Sequence, residues 1–415
     1  MLHNKKMLTF NNLLNNFWKL IPVFFLLIFI LPLIFVLGSL FGEFNDNWSH
    51  LIEYVLPKYV SNSLILIFGV AILSLILGVG TAWFLTNFDF LGKSWLEWAI
   101  ILPLAIPPYI LAYTFTGLFD SYGSANEMIR YLFNLESDFI FFPNVRNIYG
   151  AIVVFSFTLY PYVYLTTRMA FLNQSRSLME AGKLLGNSNR LLFFRLAVPL
   201  VRPAIIAGLA LVIMETLSDF GAVDHFAIQT FTTGIFRTWY GMYDLSTAMQ
   251  LSSFLFLFVA IFIFLERFER RRMSYSYANS TFKKTDSSTL EGYKNFFAFL
   301  FCFLPLFIGF ILPIIELLNW AVFFPSENFL SNNLIATLLN TIFLGVTAGI
   351  ICSIFALVIN FLKRFHKGWL LGFSSQLLTL GYALPGIILA IGIINFFSFL
   401  DKNFLNLFFE VTLLG

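Results

Sequence analysis

"SNSLILIFGVAILSLILGVGTAWFLT", Ser61 to Thr86, contains no Lys, Arg, Asp or Glu. About twenty apolar residues in a helix span the hydrocarbon core of a bilayer. This stretch is therefore long enough to cross a membrane and too apolar to sit in water. Gly69, Gly78 and Gly80 lie within it. Lipid supplies no hydrophobic drive between helices, so association rests on close backbone approach, which small residues permit. The whole chain has the same character. Of its 415 residues, 59% are hydrophobic and 11% charged, against about a quarter charged in a soluble domain. The expectation is an all-α polytopic membrane protein.

Long apolar runs place nine spans, roughly at 20–41, 61–86, 95–118, 147–168, 200–222, 246–265, 296–318, 334–362 and 370–397. The first follows Lys5, Lys6 and Lys19 and is long enough to be an uncleaved helix rather than a signal peptide. With the N-terminus inside, the inner segments hold 20 of the 25 Lys and Arg. That bias on alternating loops is the positive-inside pattern, and it predicts a multi-pass protein with a cytoplasmic N-terminus. Cys302 and Cys352 both lie in apolar runs and form no metal-ligand spacing.

An internal repeat organises the spans. "LPLAIPPYILA", Leu102–Ala112, aligns with "LGYALPGIILA", Leu380–Ala390, at an offset of 278 residues. The same offset brings Asn62 onto Asn340. Six spans separate the copies, an even number, so two halves run in parallel about an axis along the membrane normal. The first half is expected over 1–266, a basic linker over 267–295, and a second half over 296–415 with only its first three spans. Arg270 to Arg272 in the linker are read first as topology signals, with contact to anionic lipid as the alternative.

One polar stretch interrupts the pattern: "MEAGKLLGNSNRLLFFRLAVPL", Met179–Leu200. Glu180 and Ala181 start a short helix, with the carboxylate near its positive end. Gly182 and Gly186 are four apart and share one helical face. Asn187 and Ser188 suit the cap of a second helix. Pro199 fits the first turn of the next span, where a missing N–H costs nothing. A short helix, a turn and a second helix on the inner membrane face form a docking knob for a cytoplasmic partner. The copy of Glu180 would fall beyond Gly415, so this second half is expected to be incomplete.

Glu180-Ala181-Gly182, three residues, Gly186, nine residues, then Leu196-x-Val198-Pro199 resembles the "EAA" coupling motif of ABC importer permeases, E-A-A-x3-G-x9-I-x-L-P. The chain departs at Gly182, Leu196 and Val198 and keeps every spacing. "METLSDFGAV", Met214–Val223, and "QTFTTGIFRTWYGMYD", Gln229–Asp244, resemble the iron(III)-type subfamily with two fused halves. The resemblance implies a permease fold and no enzyme activity of its own. It also implies a cytoplasmic ATPase dimer, a periplasmic substrate-binding protein delivering ferric iron, and alternating access driven through Glu180, Ala181, Gly182, Gly186 and Pro199. Thiamine, sulfate and polyamine importers share the motif.

The remaining candidates are weighed on their own chemistry. "GKS" at Gly92–Ser94 lacks the glycine five positions earlier that a phosphate loop needs, since Asn87 stands there. Glu215 and Asp219 are i and i+4 in the fifth span, and carboxylates in lipid usually face a cavity or a partner. They are candidates for the translocation path, with helix–helix hydrogen bonding, or Asp219 at the outer end in water, as the alternatives. Asp224, His225, Tyr240, Tyr243 and Asp244 offer groups that suit a hard cation. Their spacing defines no metal site, so contact with the binding protein, or simple packing, is preferred to metal ligation. No cofactor and no nucleic acid are expected. The rivals are a gradient-driven secondary transporter, which also has repeats and intramembrane carboxylates, and a membrane-embedded enzyme, for which no catalytic constellation is present.

Overall fold

The computed structural model describes residues 29–45, 47–136, 138–174, 184–272, 288–323, 332–365 and 384–405, with single positions 24, 27, 182, 369, 372, 375, 378 and 381. Two compact units emerge. One is Glu43–Asn319 with Pro385–Ile387; the other is Met1–Gly42, Trp320–Leu384 and Ile388–Gly415. Among the described residues seven helices are long and apolar enough to cross a membrane, and a bent pair supplies an eighth candidate.

In the first unit the core is built by α1 (Asn47–Asn87), α5 (Ile148–Leu172) and α6 (Arg190–Ser218). Glycine sets their spacing. A Cβ at Gly69 would lie 2.5 Å from Ile152, one at Gly78 2.6 Å from Val163, and one at Gly208 2.7 Å from the Val163 Cα. These are the close approaches that small residues allow in lipid. Hydroxyls inside the helices turn back onto their own backbone: Thr81 donates to the Leu77 carbonyl, Thr158 to Val154 and Thr216 to Val212. Each of these three hydroxyls is thereby satisfied within its own helix. Asn147 begins α5 by accepting from the N–H groups of Tyr149 and Gly150.

The expected third span, 95–118, is corrected. Lys93–Ala105 and Pro108–Phe133 meet at 91°, a broken span or re-entrant loop. The pair comprises α2 (Lys93–Ala99), a 3-10 turn Leu102–Ala105, α3 (Pro108–Phe119) and α4 (Ser124–Phe133). Pro107 and Pro108 cause the break. Proline has no N–H to donate, and it pushes the residue before it out of the helical region. Ile106 accordingly has φ −102°, ψ 117° and Pro107 has ψ 142°. The fifth span ends at Ser218 rather than 222.

The other helices are α7 (Gly221–His225), α8 (Phe231–Phe236), α9 (Leu245–Arg272), α10 (Tyr293–Phe323), α11 (Asn332–Phe365) and α12 (Gly386–Leu400). Two two-residue strands, β1 (Phe88–Asp89) and β2 (Ser288–Thr289), pair in parallel. In the second unit Gly392 of α12 packs against the Pro32 carbonyl of the helix Phe29–Phe41, and Phe35 meets Phe396 and Phe399. Most of expected span 20–41 before Phe29, and of 370–383, lies outside the described residues.

Local structure repeats at the offset of 278 read from the sequence. The long helix α1 ends at Asn87 and α11 ends at Phe365; the proline-broken helices restart at Pro108 and Gly386.

Candidate functional site

The polar stretch lies at the end of the first unit where α1 and α5 finish. Glu180 and Ala181 lie outside the described residues. Gly182, Gly186 and Pro199 are placed. Gly186 has φ +79°, and a Cβ there would meet nothing within 4 Å, so it turns the chain rather than extending a helical face. Left-handed backbone of this kind favours glycine. Gly182 is turned inward: a Cβ there would lie 2.5 Å from Leu192. The expected shared glycine face is therefore corrected. One glycine packs against its own segment and the other makes the turn.

Asn187 closes that turn, donating from its backbone and side-chain nitrogens to the Gly182 carbonyl at 3.3 and 3.1 Å. Ser188 caps the next helix by accepting from the Leu191 N–H at 3.4 Å. Between Gly182 and Gly186, Leu184 and Leu185 are 88% and 82% exposed.

The second helix does not run regularly into the membrane. Phe193–Ala197 forms a π turn in which the Val198 N–H bonds to the Phe193 carbonyl. Pro199 follows, within the first turn of regular helix. Gln174, just past α5, donates to the Ala197 carbonyl at 3.0 Å. The ring of Phe193 lies 4.9 Å from Trp83 of α1, which lies 5.5 Å from Phe171 of α5. Nearby cationic groups are paired: Arg168 with Glu97 at 2.7 Å and Lys93 with Asp89 at 2.9 Å. Gly92, with φ +83°, makes the turn before Lys93. "GKS" is thus a turn and an ion pair. The linker is fastened at the same end, with Leu290 N–H on the Asp89 carbonyl and Asn295 accepting from Leu91 N–H, both at 2.9 Å.

At the opposite end of α6, Glu215 is half-buried in the last turn. Asp219 has left the helix: its carboxylate accepts from the Ala222 N–H at 2.8 Å and so starts α7, while its carbonyl accepts from Thr232 at 3.0 Å. The i, i+4 pairing within one span is corrected to a carboxylate on the helix and one in the turn after it. A small cavity beside them is lined by Ser63, Leu66, Thr216, Thr230, Phe231 and Thr232.

The outer candidates gather around α7 and α8. Asp224 lies 3.8 Å from Arg237. His225 bonds Thr116 at 2.8 Å, and the rings of Tyr109 and Tyr113 stand edge-on to it. Burial, then Arg146, lowers the His225 pKa against the opposing pull of Asp224. Tyr240 packs on Phe236 and Trp239, and Tyr243 is exposed in a positive-φ turn. Asp244 belongs to the frame: Thr247, Asn45 and Asn47 all donate to it. Among the described residues no three His, Cys, Asp or Glu side chains are grouped to hold a metal ion. Sequence reasoning missed the Glu97–Arg168 pair, the Trp83 aromatic cluster and Glu316, a buried carboxylate that accepts from Ser124. Their members lie far apart in the chain, and no local pattern announces them.

A many-span helical protein with a paired-repeat layout, a proline-broken span and a protruding helix–turn–helix is a membrane permease. Residues 74–274 match the family described as "Binding-protein-dependent transport system inner membrane component"; this part of the chain is an ABC importer permease domain. It is 25% identical over 362 residues to the Fe(3+)-transport system permease protein FbpB 2 of Haemophilus influenzae, covering 86% of this chain and 67% of the relative. It is 29% identical over 208 residues to a probable sulfate transport system permease protein, cysT, of Chlorokybus atmophyticus, covering 50% of this chain and 70% of that one. A solved bacterial alginate ABC transporter, in complex with alginate pentasaccharide-bound periplasmic protein, shares the fold. Its TM-score is 0.50 at 16% identity, covering 65% of this chain and 96% of the matched chain.

Proposed function

We propose that the chain is the permease subunit of an ATP-driven, binding-protein-dependent importer of ferric iron in a bacterial inner membrane. It consists of two halves, 1–266 and 296–415, joined by the linker 267–295. The observation that carries the mechanical part is the Gly182–Pro199 segment: an exposed Leu184–Leu185 tip on a capped turn, seated against the ends of two core helices. Such a segment has no bond-making group and acts by transmitting force. A separate cytoplasmic ATPase dimer docks on it, contacting Glu180, Ala181 and the Gly186 turn. A periplasmic binding protein contacts the outer rim near Asp224, His225, Tyr240 and Tyr243. Glu215 and Asp219 border the path.

Iron is favoured because the ferric relative aligns along 86% of the chain, whereas the sulfate relative aligns along 50%. Sulfate is the second reading, and hydroxyl-bearing Ser63, Thr216, Thr230 and Thr232 around the small cavity suit an oxyanion.

Purification from membranes tests the docking: an ATPase accompanies the chain, and Gly186→Arg, which adds bulk at the open turn, releases it. Vesicle uptake then separates the substrates. Ferric iron, and not sulfate, enters when ATP is supplied. Uptake that persists without ATP and stops when the proton gradient is dissipated identifies a gradient-driven carrier and ends this reading.

A further inference from the structure

We propose that Trp83 is the positioning residue through which movement of the 182–199 segment reaches the membrane core. The inference rests on the coupling role proposed above and names the element inside the membrane that receives it.

Three independent contacts converge on this indole. The Phe193 ring, in the moving segment, lies at 4.9 Å and Phe171, at the end of α5, at 5.5 Å. Phe88, which opens β1, lies at 6.2 Å. Trp83, Phe171 and Phe88 are buried, at 9%, 5% and 8% exposure. All three pairs are edge-on or tilted, the geometry that aromatic quadrupoles prefer. Trp83 therefore touches the segment, the neighbouring core helix and the strand that pairs with Ser288–Thr289 of the linker. A displacement of Phe193 pushes on all of them because packed cores resist compression.

The segment also has a place to give. Phe193 is the first residue of the π turn, whose Val198-to-Phe193 closure is one residue wider than a regular helix. Turns of this kind recur at functional sites and bend helices locally. Pro199 and Pro203 just beyond it lack backbone donors. The helix is thus compliant at the one point where its side chain meets Trp83. A rigid continuation of α6 would instead move Phe193 and the membrane portion together. A compliant element gripping a buried hub couples the segment to the core.

The assay uses the assembled transporter, permease with its ATPase and binding protein, in proteoliposomes. Three quantities are read: recovery of the ATPase with the permease, basal ATP hydrolysis, and the stimulation of hydrolysis by the binding protein. Trp83→Ala keeps the first two within about twofold and lowers stimulation by about 3- to 10-fold, the factor that loss of one aromatic pair, that with Phe193, represents. Trp83→Phe restores most of it. Stimulation equal to the unaltered protein in Trp83→Ala overturns the proposal. If Trp83→Ala does not assemble, Phe193→Leu decides: it keeps an apolar side chain and loses the ring, so reduced stimulation supports the proposal and full stimulation overturns it. Failure of the underlying reading looks different, because no ATPase then accompanies even the unaltered chain.

Discussion

Gly78→Ala adds one methyl group where the structure leaves no room for it. The new Cβ would lie 2.6 Å from the Val163 Cβ and 2.9 Å from the Tyr160 carbonyl oxygen. The second neighbour is backbone and cannot rotate away. Relief to ordinary contact near 3.5 Å requires α1 and α5 to part by about 1 Å, a gap that forfeits a quarter to a half of each dispersion contact it opens. Overpacking of this kind costs about 1–3 kcal/mol. Gly345→Ala is the control: it too lies inside a long helix, α11, with nothing within 4 Å of the added carbon. Alanine there gains up to about 1 kcal/mol of helix propensity. The readout is the melting midpoint of purified protein in detergent, followed by gel filtration after heating. Gly78→Ala melts several degrees lower and Gly345→Ala at or above the parent. Equal midpoints for Gly78→Ala and the parent, or an equal fall in both variants, would refute the close-packing argument.

Arg168→Gln, which strands the Glu97 carboxylate that Arg168 approaches at 2.7 Å with 21% and 23% side-chain exposure, destabilises the protein by about 1.5–3 kcal/mol. Glu97→Gln costs less, because an amide oxygen still accepts, and the two midpoints measured side by side give the order. The His225 pKa lies below its ordinary value, chiefly through burial and then Arg146, so the unfolded chain binds the extra proton first. Stability is full above the unfolded value of roughly 6.5 and falls as pH drops below it, and His225→Gln flattens that part of a stability–pH curve. An unchanged slope in His225→Gln would show that the imidazole is not the titrating group.

Some of this was legible in the chain itself. Hydropathy determined the class, because the side chains of a charge-free run such as Ser61–Thr86 favour lipid over water, and in lipid the backbone must satisfy itself as a helix. The repeat at 278 residues was equally readable, and the helix ends at Asn87 and Phe365 follow it. Local punctuation survived too: Ser188 caps as its type suggests, and Pro107–Pro108 mark a boundary, although a hydropathy window smooths over the 91° break they impose. Other features needed the fold. Gly182 and Gly186 are four apart on paper, yet one contacts Leu192 and the other turns the chain, because a left-handed residue ends the helical periodicity on which that face depended. Asp219 left its expected helix at φ −72°, ψ 132°, where extended backbone ends α6. The grouping of Phe193 with Trp83 and Phe171, and of Arg168 with Glu97, joins residues from separate helices. Sequence specifies each helix through short-range hydrogen bonding and burial in lipid; which side chains meet across helices depends on the depth and rotation at which those helices pack, and only the tertiary structure decides that.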